Sequence, residues 1–186
     1  MPNVIKSEKA EEYIKKCFNV KDKYKGMSNE DIRKDLESKQ NNFAVAMIDY
    51  EKDINFGSII RHANAFGARE VFYLSDKKKY DRRGAVGSYH YMDVNWCKNI
   101  QEFIELKNKY TFVSFELVEG ATNLYEFDWP ENPLIIIGSE SEGVYKEILD
   151  VSDHIVYIPI DRGSIRSMNA STTASIAMYS YSAKYK

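Results

Sequence analysis

The chain has 186 residues, of which 44% are hydrophobic and 29% charged, with a formal net charge of −2. That length suits one domain with a substantial core, and no apolar run approaches the roughly 18 residues that a membrane span needs. The mild acidity argues against simple coating of nucleic acid, which shows as a basic excess. The charge is unevenly spread, however. Residues 1–41 carry ten Lys/Arg against eight Asp/Glu and 69–83 six against three, whereas 100–153 carry three against twelve. A basic face on an acidic protein is compatible with this pattern. The start Met-Pro-Asn-Val-Ile-Lys passes into charged sequence without an apolar leader segment. Cys17 and Cys97 stand far apart without metal-ligand spacing. A cytoplasmic protein with free thiols is therefore expected.

Residues 1–41 read as a short helical N-terminal arm. One helix is expected over 7–18, and a second begins at Ser28-Asn-Glu-Asp31, a capping-box-like start with Met27 and Ile32 placed as a hydrophobic staple. From residue 42 to 186 the rhythm becomes that of one α/β domain. Strands are predicted at 43–48, 70–74, 111–117, 134–137 and 155–160. Helices are predicted at 54–66, closed by Gly67, and at 100–107, 144–149 and 169–183. Residues 77–92 read as a long polar loop. Continuous apolar strands alternating with helices imply a parallel sheet covered by helices on both faces.

Three segments fall where ligands bind in such sheets, beyond the carboxyl ends of strands. Asn55-Phe-Gly-Ser-Ile-Ile-Arg61 places Gly57 and Arg61 on one helical face, away from the apolar stripe of Ile59, Ile60, Ala63 and Phe66. A mid-helix glycine costs about 1 kcal/mol relative to alanine, so a close approach of backbone or substrate is expected there. Asn55, at the helix start, is suited to holding a phosphate. Gly138-Ser-Glu-Ser-Glu-Gly143 suits a tight turn beneath a ligand that donates hydrogen bonds, such as a ribose or an amino group. Its glutamates disfavour a phosphate cradle. Ile158 to Ser175 passes from a strand through a polar loop into a helix of small residues, which lets loop backbone and a flat ligand approach closely. Taken singly, each segment also has a bland reading: a surface arginine, a turn before a helix, a helix cap at Ser167 or Asn169. His62, His90 and His154 lack ligand spacing, so no metal is expected.

In this order the three segments resemble the signature of the SPOUT superfamily, most closely the SpoU/TrmH-type RNA ribose 2′-O-methyltransferases, over roughly residues 43–183. The resemblance implies an α/β fold whose C-terminal part is a deep trefoil knot, although true knots are almost absent elsewhere. It implies that S-adenosyl-L-methionine is the cofactor and S-adenosyl-L-homocysteine the product. It assigns catalytic roles to Asn55, Arg61, Glu140, Ser167 and Asn169. The cofactor pocket would be lined by Gly138, Ile158, Ser167 and Met168, with Phe115, Glu116 and Ile160 close by. It also implies a homodimer with the last helix at the interface, where Tyr179, Tyr181 and Tyr185 would fit. The partner would be RNA, transfer RNA before ribosomal RNA, contacted through the arm and through the loop holding Lys77-Lys-Lys79, Arg82 and Arg83. An alternative is a catalytically silent knotted RNA-binding or assembly protein.

Overall fold

A computed structural model describes residues 20–48 and 54–185. The expected helix over 7–18, and Cys17 with it, lie outside the described residues. Helix α1, Asn29–Glu37, is capped by Ser28, whose Oγ accepts from the Asp31 amide at 3.1 Å and donates to the Asp31 carboxylate at 2.7 Å. Ile32 is buried, whereas Met27, its expected staple partner, is 40% exposed. Arg33 fastens the helix to the domain, donating to the carbonyls of His90 and Met92 and pairing with Asp93.

Seven strands form one sheet: β1 Ala44–Ile48, β2 Glu70–Leu74, β3 Asp93–Cys97, β4 Thr111–Phe115, β5 Thr122–Asn123, β6 Pro133–Ile137 and β7 His154–Tyr157. Their order is β3-β2-β1-β6-β4-β7-β5, and every pairing is parallel. Side chains alternate across the sheet, so a one-residue step along a strand selects the face. Val45, Met47, Ile135 and Ile137 pack beneath α2 (Ile54–Ala65) and α5 (Ala170–Lys184). Ala44, Ala46, Leu134 and Ile136 pack against Phe103 of α3 (Ile100–Ile104) and Ile148 of α4 (Lys146–Leu149). Both faces are thus covered, as continuous apolar strands require. Truncating any of the buried isoleucines to alanine is expected to cost about 2–5 kcal/mol.

Strands β3 and β5 were not foreseen, and the loop expected over 77–92 ends directly in β3. The expected strand at 155–160 pairs only as His154–Tyr157, and the rest of that apolar run leaves the sheet. β1 and β6 lie side by side, and the chain leaves this pair toward opposite edges of the sheet. That point is a topological switch, where a crevice opens beyond the strand ends.

Candidate active site

The three segments meet at this switch. Asn55 enters from the first turn of α2, Glu140 from the turn after β6, and Asn169 as the N-cap of α5. The Asn55 amide donates to Glu140 Oε1 at 2.9 Å. Asn169 Nδ2 donates to the same Glu140 oxygen at 2.8 Å and to Asn55 Oδ1 at 2.9 Å. Asn169 Oδ1 turns the other way and accepts from the Ser171 and Thr172 amides, capping α5. One side chain therefore ends the loop, starts the helix and ties both to the other two segments. Asn55 is buried, and its carboxamide is engaged within this junction rather than presented to an anion.

The turn after β6 explains its own glycines. Ser139 and Gly143 exchange backbone hydrogen bonds at 3.2 and 3.1 Å, which brings Gly143 so close that a Cβ on Gly138 would strike its carbonyl carbon. Gly143 itself has φ +67°, a left-handed conformation that favours glycine. Glu116, at the end of β4, clamps the turn from below: one carboxylate oxygen accepts from the Val144 amide and the other from the Leu117 amide, each at 2.9 Å. Glu116 was expected to lie close to a cofactor; here its carboxylate shapes the turn that borders an adjacent cavity.

Beside the junction lies a cavity of about 1120 Å³. Phe115, Glu116 and Gly138 line one side, and Ile158, Ile160, Ser167 and Met168 the other. Glu140 and Asn169 stand on its rim. From Ile158 to Met168 no residue hydrogen-bonds to the rest of the described chain, and 161–167 are exposed, so the amides and carbonyls of this stretch can bond to solvent or to a ligand. Drug-sized ligands occupy pockets of roughly 300–1,000 Å³, and a nucleoside with an amino-acid side arm falls in that class. Neither Asn55 nor Arg61 lines the cavity. Arg61 lies six residues beyond Asn55 on α2, about 9 Å along the axis, and is exposed. It has no ion pair among the described residues.

Gly57 supplies the close approach its position called for. A Cβ there would lie 2.9 Å from both the Ala85 amide nitrogen and the Asp81 carbonyl oxygen. The neighbour is backbone of the 77–92 loop, which is thereby seated on α2 one turn before Arg61. His62, on the same helix, was noted only as an unsuitable metal ligand. Its Nδ1 meets Ser175 Oγ of α5 at 2.6 Å. Burial holds its pKa below the ordinary imidazole value; a backbone bond at Ser171 opposes the shift and the Arg61 charge adds to it. The only signal for this contact in the sequence is a polar residue on each of two helices that otherwise pack through small ones.

Comparison with known proteins identifies the family and its relatives. Residues 42–179 match the SpoU rRNA Methylase family. A tRNA (guanosine(18)-2′-O)-methyltransferase from Aquifex aeolicus is 27% identical over 153 residues, covering 80% of this chain and 72% of the relative. A 23S rRNA (guanosine-2′-O-)-methyltransferase from Coxiella burnetii is 26% identical over 183 residues, covering 95% of this chain and 71% of the relative. The crystal structure of the A. aeolicus TrmH/SpoU tRNA modifying enzyme superposes with a TM-score of 0.74 at 26% identity, covering 84% of this chain and 81% of that one. With the match spanning most of the chain and all three site segments inside it, the chain belongs to the SpoU rRNA Methylase family.

Proposed function

We propose that the protein transfers the methyl group of S-adenosylmethionine to a ribose 2′-hydroxyl of RNA. The Asn55–Glu140–Asn169 junction carries the reading, because it joins the three segments at the rim of a cavity large enough for the cofactor. The backbone of 158–168 fits an adenosine, whose ring edge offers both donors and acceptors. The bound cofactor supplies a sulfonium methyl that is already activated toward a nucleophile. What remains for the protein is in-line placement and management of a poor nucleophile. A ribose hydroxyl holds its proton at neutral pH, and arginine stays protonated. Arg61 therefore acts by stabilising developing negative charge on the ribose oxygen and by holding a neighbouring phosphate, while the methyl leaves the cofactor sulfur and the hydroxyl proton passes to solvent water at this exposed position. Ser167 positions the ribose, and Glu140 and Asn169 keep the junction closed.

Transfer RNA is the favoured substrate and ribosomal RNA the second, in keeping with the substrates in the relatives' names. The knotted path is part of the proposal. From β7 the chain must recross the ends of β4 and β6 to bring Asn169 against Asn55, which supports threading of the last segment. A homodimer through α2 and α5 is supported by Tyr179, 61% exposed and edge-on to Phe66, whereas Tyr181 is core. Among the described residues no helix is long and apolar enough to cross a membrane, and the proposed compartment, shared with RNA, is the cytoplasm.

The test is incubation with methyl-labelled S-adenosylmethionine and separate pools of unmodified transfer and ribosomal RNA. Label in one pool is the expected result. No label in either, together with no cofactor binding by calorimetry, would leave the silent RNA-binding reading.

A further inference from the structure

The 77–92 loop carries a side-chain arrangement that the methyl-transfer chemistry does not use. Arg82 is exposed, with its guanidinium carbon 5.0 Å from the Tyr89 ring centre and 5.7 Å from that of Tyr80. Tyr80 in turn stands edge-on to Phe56 at 5.0 Å and to Tyr73 at 5.4 Å. Phe56 is buried in α2, between Asn55 and Gly57. The layer Phe56–Tyr80–Arg82–Tyr89 thus runs from the helix that bears Asn55 and Arg61 out to solvent.

The charge at the top of this layer is uncompensated. The nearest acid in sequence, Asp81, is engaged by Arg83, which reaches both carboxylate oxygens. Among the described residues no carboxylate pairs with Arg82. Lys77 and Lys78 add exposed positive charge on the same loop.

The loop is also fixed. Its backbone lies against Gly57, too close for any side chain at that position. The Tyr73 hydroxyl donates to the Lys78 carbonyl, and burial pushes that phenol up to about 12, so it remains a donor. Ser88 Oγ holds the Ala85 carbonyl at 2.8 Å, and Arg33 of α1 clamps the carbonyls of His90 and Met92. A guanidinium laid on aromatic rings in a fixed loop loses little freedom on binding, and its planar fork matches a phosphate.

We propose that Arg82, layered on Tyr80 and Tyr89, is a preformed contact for the RNA phosphodiester backbone beside the target nucleotide. The inference rests on the RNA-methyltransferase reading and adds a specific anchor to it. Because a phosphate carries no base identity, the contact sets register and affinity rather than sequence choice. The backbone on either side of Arg82 rests on α2 at Gly57, one turn before Arg61, so the anchored phosphate would belong to the strand whose ribose reacts.

The test measures binding of a fluorescently labelled unmodified transfer RNA transcript by anisotropy across about 50 to 200 mM KCl, for wild type, Arg82→Ala and Arg82→Lys. Arg82→Ala is expected to bind roughly tenfold more weakly. The slope of log affinity against log salt should become shallower by about 0.7–0.9, one phosphate's worth. Arg82→Lys should keep the wild-type slope and recover only part of the affinity, since it restores charge without the stacked plane. Cofactor affinity and Tm should stay at wild-type values in both variants. An Arg82→Ala protein with wild-type affinity and slope overturns the inference while leaving wild-type methyl transfer intact. A wild-type protein that neither methylates nor binds RNA overturns the parent reading as well.

Discussion

Asn169 shows how much one carboxamide can organise. Its nitrogen serves Glu140 and Asn55, and its oxygen serves the first amides of α5. Replacing it by aspartate keeps the cap but sets a second carboxylate against Glu140, where an amide now donates at 2.8 Å. Two carboxylates that close cannot both ionise freely. Asn169→Asp should therefore lower Tm clearly at pH 8 and much less at pH 5, where the pair can hold a proton. Equal losses at both values would show that Glu140 is not held through this bond. Gly57 offers a second test with a decided sign. Helix propensity alone predicts that alanine gains about 1 kcal/mol. Two backbone atoms at 2.9 Å from the new Cβ oppose that, and overpacking typically costs about 1–3 kcal/mol. Gly57→Ala should thus destabilise and shift the loop that carries Arg82; a stabilised variant by thermal melting would contradict the packing described. The glycine itself was legible in the sequence as a position needing close approach, but not whether backbone or substrate approaches. Asn55 was legible as a polar residue at the head of α2, but its bond to Glu140, an exposed acceptor eighty-five residues away, was not.

At the scale of elements, helices and buried strands could be read from the chain and edge strands could not. β1 and β6 are unbroken apolar runs buried on both faces, and β2 and β4 depart from that only at Glu70, Thr111 and Ser114. β3 reads Asp93-Val-Asn-Trp-Cys97, with an exposed first residue and three half-buried ones, and it pairs only with β2. An edge strand needs no continuous apolar run, so its composition does not separate it from the loop before it. The two-residue β5 has no periodicity to detect. The crossing of α2 and α5 is likewise a tertiary fact. Small residues at Ala63, Ala170, Ala174 and Ala177 let the helices close on the sheet, and His62–Ser175 ties them where they meet. The titration of His62 follows from this burial. Its folded-state pKa lies below the ordinary 6.5, so on acidification the unfolded chain takes up the proton first. The group's contribution is complete above about pH 6.5 and is lost as pH falls toward the folded value. His62→Gln, which keeps a polar partner for Ser175 but does not titrate, should show a flatter fall in Tm between pH 7 and 5 than wild type. Parallel curves would remove His62 from the acid response.

For the whole molecule, the decisive feature is that every strand is parallel, so all the loops following strands open at one end of the sheet. That single fact gathers Asn55, Glu140, Asn169 and the basic loop from distant parts of the chain. The end at which ligands sit was readable from strand–helix alternation; the strand order, and with it the switch between β1 and β6, was not, because register and order are set by packing between segments far apart in sequence. The exposed Tyr179 face predicts that sedimentation will find a dimer and that Tyr179→Glu will shift it toward monomer; an unchanged monomeric wild type would place the proposed interface elsewhere. In the proposed reaction a cofactor-bound methyl reaches a ribose hydroxyl under the charge of Arg61. This step is tested most directly by digesting the labelled RNA to nucleosides for wild type and Arg61→Ala, with cofactor binding measured alongside. Wild type should yield a labelled 2′-O-methylnucleoside, and Arg61→Ala should keep its cofactor affinity with transfer reduced at least about 100-fold, on the order of what removing one charge-stabilising donor costs. Label on a base, or undiminished transfer by Arg61→Ala, would contradict it.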